Sequence, residues 1–267
     1  MTGIDHHAAP VRRVERLMGT VVSVDVRGCI DRSMAAAALD EALAWLHRIE
    51  ATFSVFRPTS QISRIGRGEL HPDDAAPDVR EVLVRCDELR ALTEGAFDHR
   101  PPGRPDRPLD PNALVKGWSI DRVALLLQLR GVRSYCINAG GDVRCGLPPA
   151  GSSAWRVGVR HPDDPRSVAA VLEVADAAVA TSARYERGAH VWGESGPLRS
   201  VTVVGPELGT ADALATAILA SGVETPQWLV RFPGYEPVVI TADRVRWSDR
   251  LPAHLRLVDL AANTPAS

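Results

Sequence analysis

The chain has 267 residues, 45% of them apolar and 24% charged, the make-up of a globular protein with a sizeable core. Lys+Arg 31 against Asp+Glu 33 leaves a formal net charge of −2, which excludes the basic surplus that a phosphate-neutralising nucleic-acid binder carries. No apolar run approaches the roughly 20 residues that cross a bilayer, and the first twenty residues lack the apolar core of a signal peptide. Cys29, Cys86, Cys136 and Cys145 show no CxxC spacing and read as packing thiols in a reducing compartment, so a cytoplasmic location is expected. Only one cation is a lysine, Lys116, in a chain that otherwise uses arginine. Chance survival accounts for it; so does a site that needs a compact point charge in place of a planar fork.

In chain order, residues 1–15 read as a flexible segment, His6 and His7 included. Val22, Val24 and Val26 alternate with polar residues, as in a half-buried strand. Asp31 or Ser33 caps a helix whose Leu39, Leu43, Leu46 and Ile49 share a face, and a second helix runs from Pro77 to Glu94, stopped by Gly95. The five prolines of 99–112 exclude a regular element there. A third helix is expected over Trp118 to Arg130, followed by strands at 134–138, 155–160, 168–174, 177–181 and 200–205. A helix over 211–220 and a hairpin through 238–241 and 244–247 complete the order. Several strands follow one another directly, so the class is α+β with mainly antiparallel sheets and packed helices. One domain over residues 16–260 is expected, with a flexible tail at 261–267.

In the segment 210–217 (TADALATA), Asp212 and Thr216 stand four apart and share a face of a helix. A carboxylate and a hydroxyl together suit Mg²⁺, but capping by Asp212 and packing by Thr216 fit the same spacing. Segment 110–117 (DPNALVKG) places Asp110 and Lys116 beside an expected helix start, where free N–H groups attract phosphate. The glycine-rich run of a Walker loop is missing from it. Asn138 to Asp142 (NAGGD) reads as a hairpin turn, and its glycines would also let backbone N–H groups approach a ligand. Phe97 and Asp98 either cover and hydrogen-bond a heterocycle or serve as core and cap. His190 is the best-placed histidine for a general base, although no Ser/His/Asp or Cys/His set accompanies it.

The order of these segments is more specific than any one of them. Met18-Gly-Thr20 comes first, then 53–63 (FSVFRPTSQIS), Gly95 to Asp98, and Asp110 with Lys116-Gly117 and Asp121-Arg122. Asn138 to Asp142, Thr181-Ser182 with Tyr185-Glu186, and 200–216 follow. Over about residues 16–222 this series resembles the ApbE flavin transferase family, the FAD:protein FMN transferases.

The resemblance implies an ApbE-like (T-fold-like) architecture and a Mg²⁺-dependent enzyme with FAD as substrate. Such an enzyme moves FMN to a Ser or Thr hydroxyl of an acceptor flavoprotein and releases AMP; some relatives hydrolyse FAD to FMN and AMP. By the same resemblance Asp212 and Thr216 are metal-ligand side chains, and Ala113 offers a backbone carbonyl to the metal. Met18, Phe56, Ala96, Phe97, Asp98, Asp110 and Lys116 match FAD-contacting positions, with Phe56 in place of the usual tyrosine. Lys116 and His190 are then the candidate catalytic groups. The run 190–196 (HVWGESG) departs from the family's pattern, keeping His190 but losing its Asp and Pro, and Ala183 and Arg184 replace an expected Gly-Asp. Two further readings accordingly stand beside the transferase: an FAD pyrophosphatase and a non-catalytic flavin-binding protein.

Overall fold

The structure is a computed structural model that describes residues 10–28, 31–100, 108–149, 151–152, 154–164, 166–183, 197–242 and 245–247, and the backbone of 256–258. The chain opens on a hairpin, β1 (Val11–Leu17) and β2 (Thr20–Val26). The tail expected to fray through residue 15 is therefore a strand from Val11, paired antiparallel along its whole length with β2. Helices α1 (Arg32–Phe53), α2 (Gln61–Gly66), α3 (Pro77–Leu92) and α4 (Asn112–Leu129) follow. Strands β3 (Tyr135–Ala139), β4 (Asp142–Cys145), β5 (Trp155–Arg160), β6 (Val168–Val174), β7 (Ala178–Ala183) and β8 (Leu198–Gly205) come next. Helix α5 (Leu208–Ser221) precedes β9 (Glu236–Thr241), β10 (Val245–Trp247) and β11 (Arg256–Val258).

An eight-stranded sheet in the order β1-β2-β3-β4-β7-β8-β9-β10 forms the middle layer, and β11-β6-β5 form a second, smaller sheet. Every pairing is antiparallel, as expected from strands that follow one another directly. The period-2 alternation of side chains sends Val22, Val24, Ile137, Val201 and Val203 to one face, where they pack with helices α1, α4 and α5. Val143, Cys145, Val179, Val204 and Ile240 go to the other face and meet Trp155, Val157, Leu172 and Val174 of the small sheet. No described helix is long and apolar enough to cross a membrane.

Two local devices decide where the helices sit. Asp31 caps α1 by accepting the N–H groups of Ser33 and Met34 at 2.9 and 3.0 Å. Helix α5 lacks such a cap of its own, because Glu207 at its N-cap position makes no side-chain cap bond. Asp121, reaching across from α4, takes the N–H groups of Leu208 and Gly209 at 3.0 and 2.9 Å instead. The two helices can come that close because Gly117 faces the start of α5. A Cβ there would lie 2.5 Å from the carbonyl carbon and oxygen of Leu208. Helix α5 is consequently buried nearly all round.

Helix α4 begins six residues before the expected Trp118. The Asp110 carboxylate accepts the N–H of Asn112 at 3.2 Å, a turn that starts the helix before its apolar periodicity becomes visible. Lys116 thus lies in the second turn of α4 and not at its N-terminal mouth.

Candidate active site

Lys116 projects from α4 towards two carboxylates from different elements. Its Nζ pairs with the Asp142 carboxylate and lies 3.5 Å from Asp212 Oδ2. Asp142 stands at the first position of β4, directly after the two-residue turn Gly140-Gly141, whose φ values are +64° and +103°. That tight turn and the strand alternation put Asp142 on the helix-covered face of the sheet. There its Oδ1 accepts the N–H of Thr181 at 2.9 Å. Asp212 comes from α5 and is fully buried. Thr216, one turn further along α5, exchanges a hydrogen bond with Ser182 of β7, Oγ1 to Oγ 3.0 Å. With all three groups ionised, one ammonium against two carboxylates leaves a net −1.

That excess negative charge, with the Thr216 and Ser182 hydroxyls one helical turn away, is a hard-oxygen donor set that fits Mg²⁺. Among the described residues no three His, Cys, Asp or Glu side chains converge as a metal cage, so a cation here would rest on mixed oxygens and its own waters. Ala113 lies in the first turn of α4, three residues before Lys116 and on the same side of the helix.

The remaining expected residues fall into two groups. Met18 adopts φ +53° in the β1–β2 turn, where its N–H donates to Glu50 Oε1 at 3.1 Å. Its sulfur is 3.5 Å from Ser119 Oγ, which donates to the Lys116 carbonyl at 2.7 Å, so Met18 is held beside the lysine's own turn of helix. Asp98 and Asp110 are drawn together because the Asp110 N–H donates to the His99 carbonyl at 2.8 Å, closing the two ends of the proline-rich segment. Asp98 pairs with Arg90 at 3.0 Å, and Ala96 is partly buried against the core.

Of the two readings of Phe97, cover for a heterocycle or core residue, its burial fits the second. Phe97 is only 2% exposed and belongs to the core, its N–H fixed on Thr93 Oγ1 at 3.0 Å. Its ring is not offered to a heterocycle. Phe56 is the opposite case, 74% exposed just beyond the end of α1. His190 lies outside the described residues.

Sequence reasoning did not single out Asp142, Ser182 or Asp121 as individual residues. For Asp142 the available signal was its place after Gly-Gly at the start of a strand, where alternation sets its face. Burial pushes the Asp121 carboxyl up to about 6, opposed by hydrogen bonds from Gly209 and Leu208 and by the Arg144 guanidinium. An open groove of about 790 Å³ runs between α3, α4 and the start of α5, past Trp118, Asp121 and Arg144. None of Lys116, Asp142, Asp212 or Thr216 lines it, so it is separate from this cluster.

The ApbE family model matches residues 18–100 and 103–239, a span that contains each described member of the cluster. The chain belongs to the ApbE family. Among curated ApbE relatives, the FAD:protein FMN transferase of Vibrio cholerae is 33% identical over 84% of this chain and 85% of its own length. That of Treponema pallidum is 32% identical over 69% of this chain and 60% of its own. The fold is shared with the solved flavin transferase ApbE from Vibrio cholerae, TM-score 0.73 at 22% identity, covering 91% of this chain and 98% of that one. The ApbE protein of Thermotoga maritima gives TM-score 0.74 at 21% identity, covering 90% and 97%.

Proposed function

We propose that this ApbE-family chain is a Mg²⁺-dependent FAD:protein FMN transferase, active on a Ser or Thr hydroxyl of an acceptor flavoprotein. The observation that carries the reading is the Lys116–Asp142–Asp212 cluster, one ammonium against two buried carboxylates, in a chain of this family. Met18, Phe56, Ala96, Asp98 and Asp110 are the proposed FAD-contacting positions, with Phe97 contributing its backbone alone.

In the proposed reaction the acceptor hydroxyl attacks the FMN-side phosphorus, the pyrophosphate P–O bond breaks, and AMP leaves with its electron pair. Asp212, Thr216 and the Ala113 carbonyl are the proposed holders of Mg²⁺, which when bound neutralises pyrophosphate charge and polarises its P–O bonds. Lys116 places an ammonium where charge develops on the phosphoryl oxygens, and Asp142 aims it by accepting one of its N–H groups. Ser182 orients the Thr216 hydroxyl. His190 is the proposed base that takes the hydroxyl proton.

Mass spectrometry of the protein with FAD, with and without Mg²⁺ and with and without an acceptor bearing a Ser/Thr flavinylation site, tests this. A Mg²⁺-dependent FMN increment on the acceptor supports the transferase. Free FMN and AMP without that increment would mean a pyrophosphatase, with water as nucleophile. FAD bound but never cleaved would reduce the chain to a flavin binder.

A further inference from the structure

On the face of the large sheet away from Lys116, Cys136 of β3 stands directly opposite Cys145 of β4. The pair occupies a non-hydrogen-bonded site of the ladder. Gly146 N–H donates to the Tyr135 carbonyl at 2.9 Å, whereas Cys145 N–H turns away to the Ala177 carbonyl at 2.9 Å. Such sites bring opposing Cα atoms to about 4.5 Å, inside the range that a disulfide spans. Both thiols are free and their sulfurs are 3.7 Å apart. We infer that Cys136 and Cys145 are a dithiol that a low-molecular-weight disulfide converts to a cross-strand disulfide, a covalent modification site outside the proposed active site.

The surroundings assign the two sulfurs different tasks. Cys136 is half-buried and flanked on β2 by Asp25, which Arg27 and Arg12 pair at 2.9 and 3.1 Å. Arg27 also lies over the Trp155 ring at 4.6 Å, so a guanidinium stands at the edge of the pair that solvent reaches. The Cys145 S–H and the Arg27 charge hold the Cys136 thiol below its ordinary value against burial and Asp25, whereas Cys145, buried and donating to its neighbour, is pushed up. Cys136 is thus the attacking thiolate and Cys145 the resolving thiol. Cys136 Sγ attacks one sulfur of the small disulfide, forms a mixed disulfide and expels one thiolate, which takes up the Cys136 proton. Cys145 Sγ then attacks the Cys136 sulfur and expels the second thiolate, which receives the Cys145 proton. Two protein thiols and one small disulfide give one protein disulfide and two small thiols. The ring so closed runs over residues 136–145 and includes Asp142, which is 39 positions before its partner Thr181.

The test is incubation of the reduced full chain with oxidised glutathione, an acid quench, alkylation, and intact-mass and tryptic analysis without reductant. The expected product is lighter by two hydrogens and links peptide 134–144 to peptide 145–156, which separate at Arg144 in the reduced protein. Dithiothreitol restores the original mass. Cys145→Ser should stop the reaction at one glutathione on Cys136, and Cys136→Ser should leave Cys145 unmodified. Cys86, buried in the helix-side core with its thiol pushed well up, should not react. Cys136 and Cys145 both still free in the folded wild-type chain, under conditions that oxidise the urea-unfolded chain, would overturn the inference. So would a bond that engages Cys29 or Cys86 in place of this pair.

Discussion

The Asp121 carboxylate of α4 accepts the Gly209 N–H of α5 at 2.9 Å, so one helix supplies the N-cap of the other. Lys116 and Asp212 sit one to two turns from this joint on their respective helices, and the joint sets their separation. Asp121→Ala removes the acceptor for two buried N–H groups and should cost about 1–3 kcal/mol, measured by urea denaturation. Its pH dependence carries a distinct sign. With the folded carboxyl raised to about 6 from 3.8, the folded state holds the extra proton between those values. The Asp121 contribution is fully present below pH 3.8 and is lost as pH rises through 6. The cost of Asp121→Asn, compared with wild type, should therefore shrink as pH rises from 4 to 6. A cost that grows over that interval would show that the carboxyl is not raised.

Lys116 answers two buried carboxylates, and Asp142 and Asp212 are each almost wholly shielded from water. Lys116→Met removes the ammonium that both buried carboxylates meet and should destabilise the chain by about 2–4 kcal/mol at pH 7. Lys116→Arg keeps the charge but replaces a compact ammonium by a planar fork. It should hold most of the stability and lower FAD turnover at least about tenfold, a loss of roughly 1.4 kcal/mol of transition-state stabilisation. Calorimetry and a steady-state AMP assay on the same preparations separate these effects. Wild-type turnover in the arginine variant would remove Lys116 from the reaction.

How far the sequence announces this arrangement depends on the range of the signal. The antiparallel α+β class is legible because strand follows strand without a crossover helix, and the hairpin at Gly140-Gly141 because only a primed turn asks for positive φ at both positions. Asp212 and Thr216 are visible as an i, i+4 pair because helix periodicity is local. The pairing of Lys116 with Asp142 and Asp212 joins residues 26 and 96 positions apart, and no spacing rule reaches that far. Gly117 is similarly opaque: its reason is the Leu208 carbonyl that a Cβ would strike, a contact made only when α4 and α5 cross. Phe97 stays ambiguous in the sequence for the same cause, since only the closed core decides between packing and ligand cover. Strand β1 escapes notice because Arg12, Arg13 and Arg16 dilute its apolar alternation, yet an edge strand with one face in water accepts such charge.

Asp212→Ala tests the cation site without relying on turnover. Removing one carboxylate takes the Lys116 cluster from net −1 to neutral, so the fold should lose little and the affinity for Mg²⁺ most of its source. In a thermal-shift titration the wild-type midpoint should rise with Mg²⁺ concentration, by the mass-action stabilisation of a ligand that binds the folded state, and the Asp212→Ala midpoint should stay flat. Thr216→Val should weaken the response without abolishing it, because it removes one neutral donor and keeps the charge. Parallel titrations of wild type and Asp212→Ala would place Mg²⁺ elsewhere.

His99 gives the opposite pH signature to Asp121. The residue is fully buried beside Arg100, Nε2 to Nη1 2.7 Å, and its carbonyl anchors Asp110. Burial, helped by the Arg100 charge, lowers its pKa to about 4 from 6.5. Between those values the unfolded chain binds a proton that the folded chain refuses, so stability falls as pH drops from 6.5 to 4. The full span corresponds to about 3 kcal/mol, using about 1.4 kcal/mol per pH unit. His99→Asn has no titrating ring and should lose less stability than wild type between pH 7 and pH 4.5. The comparison is made on urea midpoints at both pH values, with Asp121 present in both proteins so that its opposing slope cancels. Equal losses in the two proteins would mean that His99 is protonated as readily folded as unfolded.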